Sequence, residues 1–420
     1  MINHSRGSLH DPLDIGASGE RERDAAARPA HLIRELRLLP VAALLALACV
    51  AAGRTAAQPE VTDFHCFWTA ARLALNGTDP YDPARWREEI GGPFPDGSGG
   101  VRPAPCPGAF GYPLTTAVAL IPLAPLSEPL AAAIWEALLV AGAAFGVFFV
   151  WSAAGGSRST LPLFAILVGC SQPLWLTIIN AQFGGLLLGL LGVIALTSRG
   201  ANEALAGVAL AALTLKPHVV GLVFPEVIVR HARERRFRSL AVFIAITAAL
   251  LVVSLVLVRG WPTAWVRELL TTRREMLPSS GTVWGLATDT FGDGRIGVLL
   301  VLAVVVPAAW TLRGVRISGS DRVALAVTGS LVVSPYAGSH DDVLLATAWA
   351  VILAVATRRS DLAGRLLLAG LLLCASLLPW ALYAYAVRSR PDEATAWLVP
   401  ASTALVLAAA IRARARAGAG

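Results

Sequence analysis

From Leu36 nearly to the end, apolar stretches alternate with short polar breaks. Most of these stretches run about 15–22 residues, the length of helix that crosses a hydrocarbon core roughly 30 Å thick. They predict helices over 36–53, 130–152, 161–179, 183–198, 203–216, 218–230, 239–258, 296–312, 323–337, 342–357, 366–386 and 396–412. The expected fold is all-α, a polytopic transmembrane helical bundle of about twelve spans. Segment 1–35 is polar and aperiodic and is expected to be a disordered cytoplasmic tail. Run 36–53 begins too far from Met1 for a cleaved leader, so it reads as an uncleaved first helix.

Arginine then orients the spans. Arg34/Arg37, Arg158, Arg199, Arg230–Arg238, Arg313/Arg316/Arg322, Arg358/Arg359/Arg365 and Arg412/Arg414/Arg416 fall in alternate breaks. That bias marks the cytoplasmic side and puts both termini inside. The expected organisation is a transmembrane domain over 36–412, with external loops at 54–112 and 259–294 and a cytoplasmic tail at 413–420. Composition agrees, with 55% hydrophobic and 15% charged residues and a mean hydropathy of +0.63. The net charge of +7 belongs to these short loops and does not indicate a nucleic-acid-binding face.

On this topology the external side collects the chemically unusual residues. Lys216 is the sole lysine of the chain; every other basic residue is arginine. It stands between two apolar runs and is followed by Pro217 and His218, which end a helix and add a second nitrogen base. A cation at membrane depth is costly unless it meets a cavity or a partner. Asn180–Gln182 and Ser334–Asp342 fall on the same side, as does the loop 54–112. Within that loop 61–82 has helical spacing of Phe64, Phe67, Trp68, Ala71 and Leu75, which predicts an amphipathic surface helix ending at Asn76-Gly77. Asp63 stands at its start, either as an N-cap or as a carboxylate held at the membrane interface. The apolar stretch 115–126 is too short for a crossing and reads as a re-entrant or surface segment.

Cys66 and Cys106 share the external loop, where a disulfide between them is chemically allowed, whereas Cys49, Cys170 and Cys374 read as core thiols. No Cys/His spacing suggests zinc. Asp341 and Asp342 read as acids preceding a helix, with a divalent metal as the alternative. Trp284 is a candidate to line the external cavity. No Walker-type Gly-rich loop and no soluble nucleotide-binding domain are visible.

Several of these residues together resemble glycosyltransferase family 87. They are Asp63-Phe64, Gly77-Thr78-Asp79-Pro80-Tyr81, Tyr112-Pro113, Asn180-Ala181-Gln182-Phe183, the run Leu205–Pro217, and Ser334-Pro335 with His340. Two departures are Leu114, where the family usually has a second proline, and the acid pattern around His340. The resemblance implies a GT-C-type membrane transferase of the bacterial cytoplasmic membrane. Such an enzyme moves mannose or arabinofuranose from a polyprenyl-phosphate donor to an envelope glycolipid or polysaccharide at the external face. It implies Asp63 as general base, with His340 also catalytic and Lys216 and His218 at the donor phosphate. Tyr81, Tyr112, Gln182, Trp284 and Asp341 would line the substrate cavity. No cofactor is expected beyond the lipid-linked donor. The competing reading is a transporter or flippase of lipid-linked sugars, for which the expected internal repeats are not evident.

Overall fold

The computed structural model describes residues 39–92, 94–95, 101–102, 106, 108–197, 202–276, 280–389 and 393–417. The expected tail at 1–35 lies outside the described residues; of the tail expected at 413–420, residues 413–417 continue the last helix and 418–420 lie outside the described residues. Among the described residues the protein is helical apart from one antiparallel pair of two-residue strands, β1 (Phe94–Pro95) and β2 (Val101–Arg102).

The described residues begin with α1 (Leu39–Ala57), followed by α2 (Asp63–Leu75) and α3 (Pro83–Ile90). Asn76 and Gly77, the latter at φ +68°, end α2 where the sequence predicts. Next comes the short buried helix α4 (Leu114–Leu120), extended by a 3-10 turn to Leu123. The bundle proper runs through α5 (Glu128–Ala153), α6 (Leu161–Gly169), α7 (Gln172–Ile179), α8 (Gly184–Thr197), α9 (Glu203–Leu213), α10 (Val223–Arg233) and α11 (Phe237–Leu257). It continues as α12 (Trp261–Met276), α13 (Val283–Phe291), α14 (Ile296–Leu312), α15 (Gly319–Val333), α16 (Ala346–Ala356), α17 (Leu362–Leu372), α18 (Leu378–Ser389) and α19 (Leu398–Ala417).

Twelve crossings are expected from the sequence, but six helices among the described residues are long and apolar enough, or seven if one bent pair counts as a single span. They are α1, α5, α11, Ser339–Ala356, Leu362–Arg388 and Ala394–Ala417. The difference has local causes. Run 161–179 is broken by a 60° bend between α6 and α7, where Ser171-Gln172-Pro173 starts a new helix. Run 203–216 yields only the 11-residue α9, about 16 Å long against a core of about 30 Å. Run 218–230 becomes a 3-10 turn followed by α10, whose Glu226, Arg230 and His231 make it amphipathic. Run 323–337 stops at Val333, the end of α15.

Burial divides the helices by role. Segment Ser339–Ala356 is almost entirely enclosed, whereas α11 presents nearly all its apolar side chains outward, as a lipid-facing helix does. The tightest contact, α5 on α8, is made by glycines. A Cβ on Gly185 would fall within contact of the Leu139 carbonyl oxygen, and one on Gly189 would lie 2.9 Å from that of Gly142. This small-residue approach brings two backbones together without relying on water to drive them. It also fixes the start of α8, directly after Gln182-Phe183.

Candidate functional site

Four chain segments far apart in sequence meet at one end of the bundle: the start of α2, the turn between α7 and α8, the break after α9, and 334–342 after α15. Asp63 is the first residue of α2, and Thr62 rather than Asp63 occupies the cap position. The N-cap alternative for Asp63 therefore gives way, and its carboxylate accepts a hydrogen bond from Gln182 Nε2. The Asp63 amide donates to the Asn180 carbonyl at 3.1 Å, pinning α2 to the same turn.

That turn is unusual. Ala181 has φ +53°, a left-handed conformation that costs a non-glycine residue roughly 1–2 kcal/mol. Trp135 of α5 donates its indole N–H to the Ala181 carbonyl at 2.8 Å and so holds the conformation. Phe183 packs against Phe67 and Trp135 at ring separations of 4.7 and 4.9 Å. Gln182 is therefore presented from a rigid aromatic base.

The Gln182 amide joins the two charges. Its oxygen accepts from Lys216 Nζ at 3.0 Å, while its nitrogen faces Asp63. Lys216 is fully buried and also donates to Asp341 Oδ1 at 2.6 Å, with His340 Nε2 3.3 Å away. Gln182 and Asp341 thus accept two of the three ammonium protons, and His340 Nε2 accepts the third only where that nitrogen is unprotonated. Asp341 Oδ2 in turn accepts from the Gly338 amide at 3.2 Å and lies 3.4 Å from His340 Nε2. Gly338 is required by space, because a Cβ there would collide with the His340 ring. Thr177 Oγ1 donates to the His340 carbonyl at 2.8 Å, tying this segment to α7.

Burial raises the Asp63 carboxyl above the ordinary carboxylate range, against the opposing pull of His340, the Gln182 hydrogen bond and Lys216. A carboxylate destabilised in its charged form is a stronger proton acceptor than one in water. His218 is driven down to about 4, first by burial and then by Lys216. Among the described residues its Nε2 has no hydrogen-bond partner, and its ring lies between Tyr112 and Tyr336 at 6.4 and 5.9 Å. The Tyr112 hydroxyl stands 3.4–3.5 Å from the Gln182 amide, and Tyr81 donates to the Tyr112 carbonyl. Asp63, Tyr112, His218, Tyr336 and His340 reach the surface in part, whereas Gln182, Lys216 and Asp341 are buried.

Of the residues singled out from the sequence, Asp63, Tyr112, Gln182, Lys216, His340 and Asp341 are joined in one hydrogen-bonded group. His218 and Tyr81 stand at its border. Trp284 is placed elsewhere: it packs over Gly297 in the smaller core cluster of Val283, Val304 and Trp397. Cys66 and Cys106 are joined in a disulfide, with Cα atoms 6.1 Å apart. Both sulfurs lie within 4.8 Å of the Asp63 carboxylate. Tyr336 and Gly338 join the group without having been singled out; their signal was proximity to Ser334-Pro335 and His340.

No curated protein and no solved structure matches the chain. The profile of glycosyltransferase family 87 matches residues 110–335, more than half of it. The match spans Tyr112, Gln182, Lys216 and His218, while Asp63 and His340 lie outside it on either side. With its apolar helices and this match, the chain is a membrane protein belonging to glycosyltransferase family 87.

Proposed function

We propose that the protein is an inverting GT-C-type transferase that moves a sugar of the mannose or arabinofuranose class from a polyprenyl-phosphate donor to an envelope glycolipid or polysaccharide. The reaction takes place at the external face of the cytoplasmic membrane. Asp63 takes the proton of the acceptor hydroxyl as its oxygen bonds to the anomeric carbon. The bond from that carbon to the phosphate oxygen breaks on the opposite side, and the polyprenyl phosphate leaves towards Lys216 and His340. The transition state is oxocarbenium-like, so a carboxylate on one side and cations on the other stabilise the charge that develops.

One observation carries this reading: a single amide, that of Gln182, bridges the carboxylate of Asp63 and the only lysine of the chain. Base and cation are thereby held at a fixed separation on a rigid turn, as positioning for bond exchange demands. The test is mass spectrometry of envelope glycolipids and polysaccharides from a deletion strain carrying either the wild-type gene or Asp63→Asn. A glycan one sugar short, restored by wild type alone, is the expected result. Full restoration by Asp63→Asn refutes the assignment of the base.

A further inference from the structure

Behind His340 and Asp341 the structure holds a second polar centre. A cavity of about 20 Å³ is lined on its polar side by Gln172, Ser339, Asp342, Tyr383, Glu393 and Thr395. Space for a water-sized body requires about 10–15 Å³, so the cavity admits a single small ion. Asp342 is 4% exposed, yet among the described residues no hydrogen bond reaches its carboxylate. The charges that act on it are those of Asp341 and Glu393, both negative. Asp341 already has Lys216 as counter-ion; Asp342 and Glu393 share none among the described residues. Glu393 uses one oxygen, Oε2, to accept from the Ser339 amide. Ser339 Oγ lies 3.4 Å from Gln172 Nε2.

Two carboxylates lining one small cavity repel each other unless a cation or a proton stands between them. The other polar lining groups are an amide, two alcohols and a phenol, all oxygen donors, and no sulfur or imidazole lines the cavity. Oxygen-only sets with two carboxylates suit hard divalent cations such as Ca²⁺ or Mg²⁺.

We propose that Asp342 and Glu393 bind one divalent cation in this cavity, with Ser339, Gln172 and Thr395 as further oxygen donors. The cation fastens segment 338–342, which carries His340 and Asp341, to the start of Ala394–Ala417. This site is independent of the proposed sugar transfer, because its test reads metal and not turnover. The full chain is purified in detergent, stripped with EDTA, and titrated with CaCl₂, MgCl₂ or MnCl₂ while its melting temperature is followed. Elemental analysis after dialysis then counts retained metal. The expected result is a saturable rise in melting temperature with one of these ions and about one equivalent retained; Glu393→Gln and Asp342→Asn should weaken or abolish both. Because Asp342→Asn could unfold the protein, the titration of wild type and the half-buried Glu393→Gln stand as tests on their own. No cation-dependent rise in wild type overturns the proposal, as does a rise that persists undiminished in Glu393→Gln. An Asp342→Asn protein at least as stable as wild type, with no metal response in either, identifies a shared proton in place of the ion.

Discussion

Replacing Gln182 with methionine tests the link between Asp63 and Lys216 without touching either charge. Methionine keeps nearly the same length and volume, so the aromatic base beneath Phe183 is preserved. Two hydrogen bonds disappear, one to the Asp63 carboxylate and one from the Lys216 ammonium. A hydrogen bond to a charged group is worth about 1.5–3 kcal/mol, and the Gln182 bond to Asp63 favours the ionised carboxylate. Its loss shifts that ionisation roughly 10- to 150-fold towards the acid form. A base must be ionised to act, so the acid limb of the transfer rate moves to higher pH, and the rate recovers as pH rises. Asp63→Asn has no such recovery and loses about 10²- to 10⁴-fold at every pH, the usual scale for a general base. The assay is sugar transfer in membranes from a labelled lipid-linked donor, measured from pH 5 to 9 for wild type and both variants. If the acid limb of Gln182→Met coincides with that of wild type, Asp63 is not the ionising base.

Three further outcomes follow from packing and charge. Opening the Cys66–Cys106 disulfide by double replacement with serine should cost up to about 4 kcal/mol, the loop-closure value for a separation of 40 residues, read as a fall in melting temperature that dithiothreitol reproduces in wild type alone. Gly185→Ala should destabilise by roughly 1–3 kcal/mol, because its Cβ meets the Leu139 carbonyl, whereas Gly53→Ala, with nothing within 4 Å, should be neutral or stabilising; equal melting temperatures for the two would contradict the close α5–α8 approach. His65 faces Glu128 at 2.6 Å and the Ile90 carbonyl at 2.8 Å, so both ring nitrogens donate. Burial is the largest single influence and opposes its charge, but the Glu128 bond, the Ile90 carbonyl and the charges of Glu128 and Glu60 together outweigh it and raise the folded value above the usual 6.5. The resulting stability is full below that usual value and is lost as pH rises through the folded one, so melting temperature should fall on the alkaline side in wild type and lose this dependence in His65→Gln.

Legibility in the sequence followed physical cost. Lys216 stood out because an ionised group among apolar residues is expensive, Asp63 through its place at the start of the predicted surface helix and the family resemblance, and the structure places both in the same network. Gln182 carried no comparable signal, since a glutamine at a helix end costs little anywhere; its importance arises from Ala181, whose left-handed turn aims it. Glu393 could not be connected to Asp342 from the sequence, because 51 positions separate them and only the tertiary fold closes that distance. The bend at Ser171-Gln172-Pro173 and the polar face of α10 were written locally, but mean hydropathy over a long run conceals a break of one or two residues.

The environment of Lys216 changes what a buried lysine can be taken to mean. Its sequence context asks for an anion, and the structure supplies one internally, Asp341 at 2.6 Å. Breaking such a buried pair by removing one partner costs about 3–5 kcal/mol, so loss of activity in Lys216→Met would mix a folding defect with a chemical one. Under the proposed function, a donor phosphate must share Lys216 with Asp341 instead of finding it free. Sharing favours discrimination: a neutral group gains nothing from a lysine already paired, whereas a phosphate can replace part of what Asp341 provides. His340 is in place for that exchange, since it touches both members of the pair and, unlike them, reaches the surface in part. The charge of the site is therefore set by the pair together with His340, and a base-to-cation distance fixed by Gln182 survives whichever anion the lysine holds.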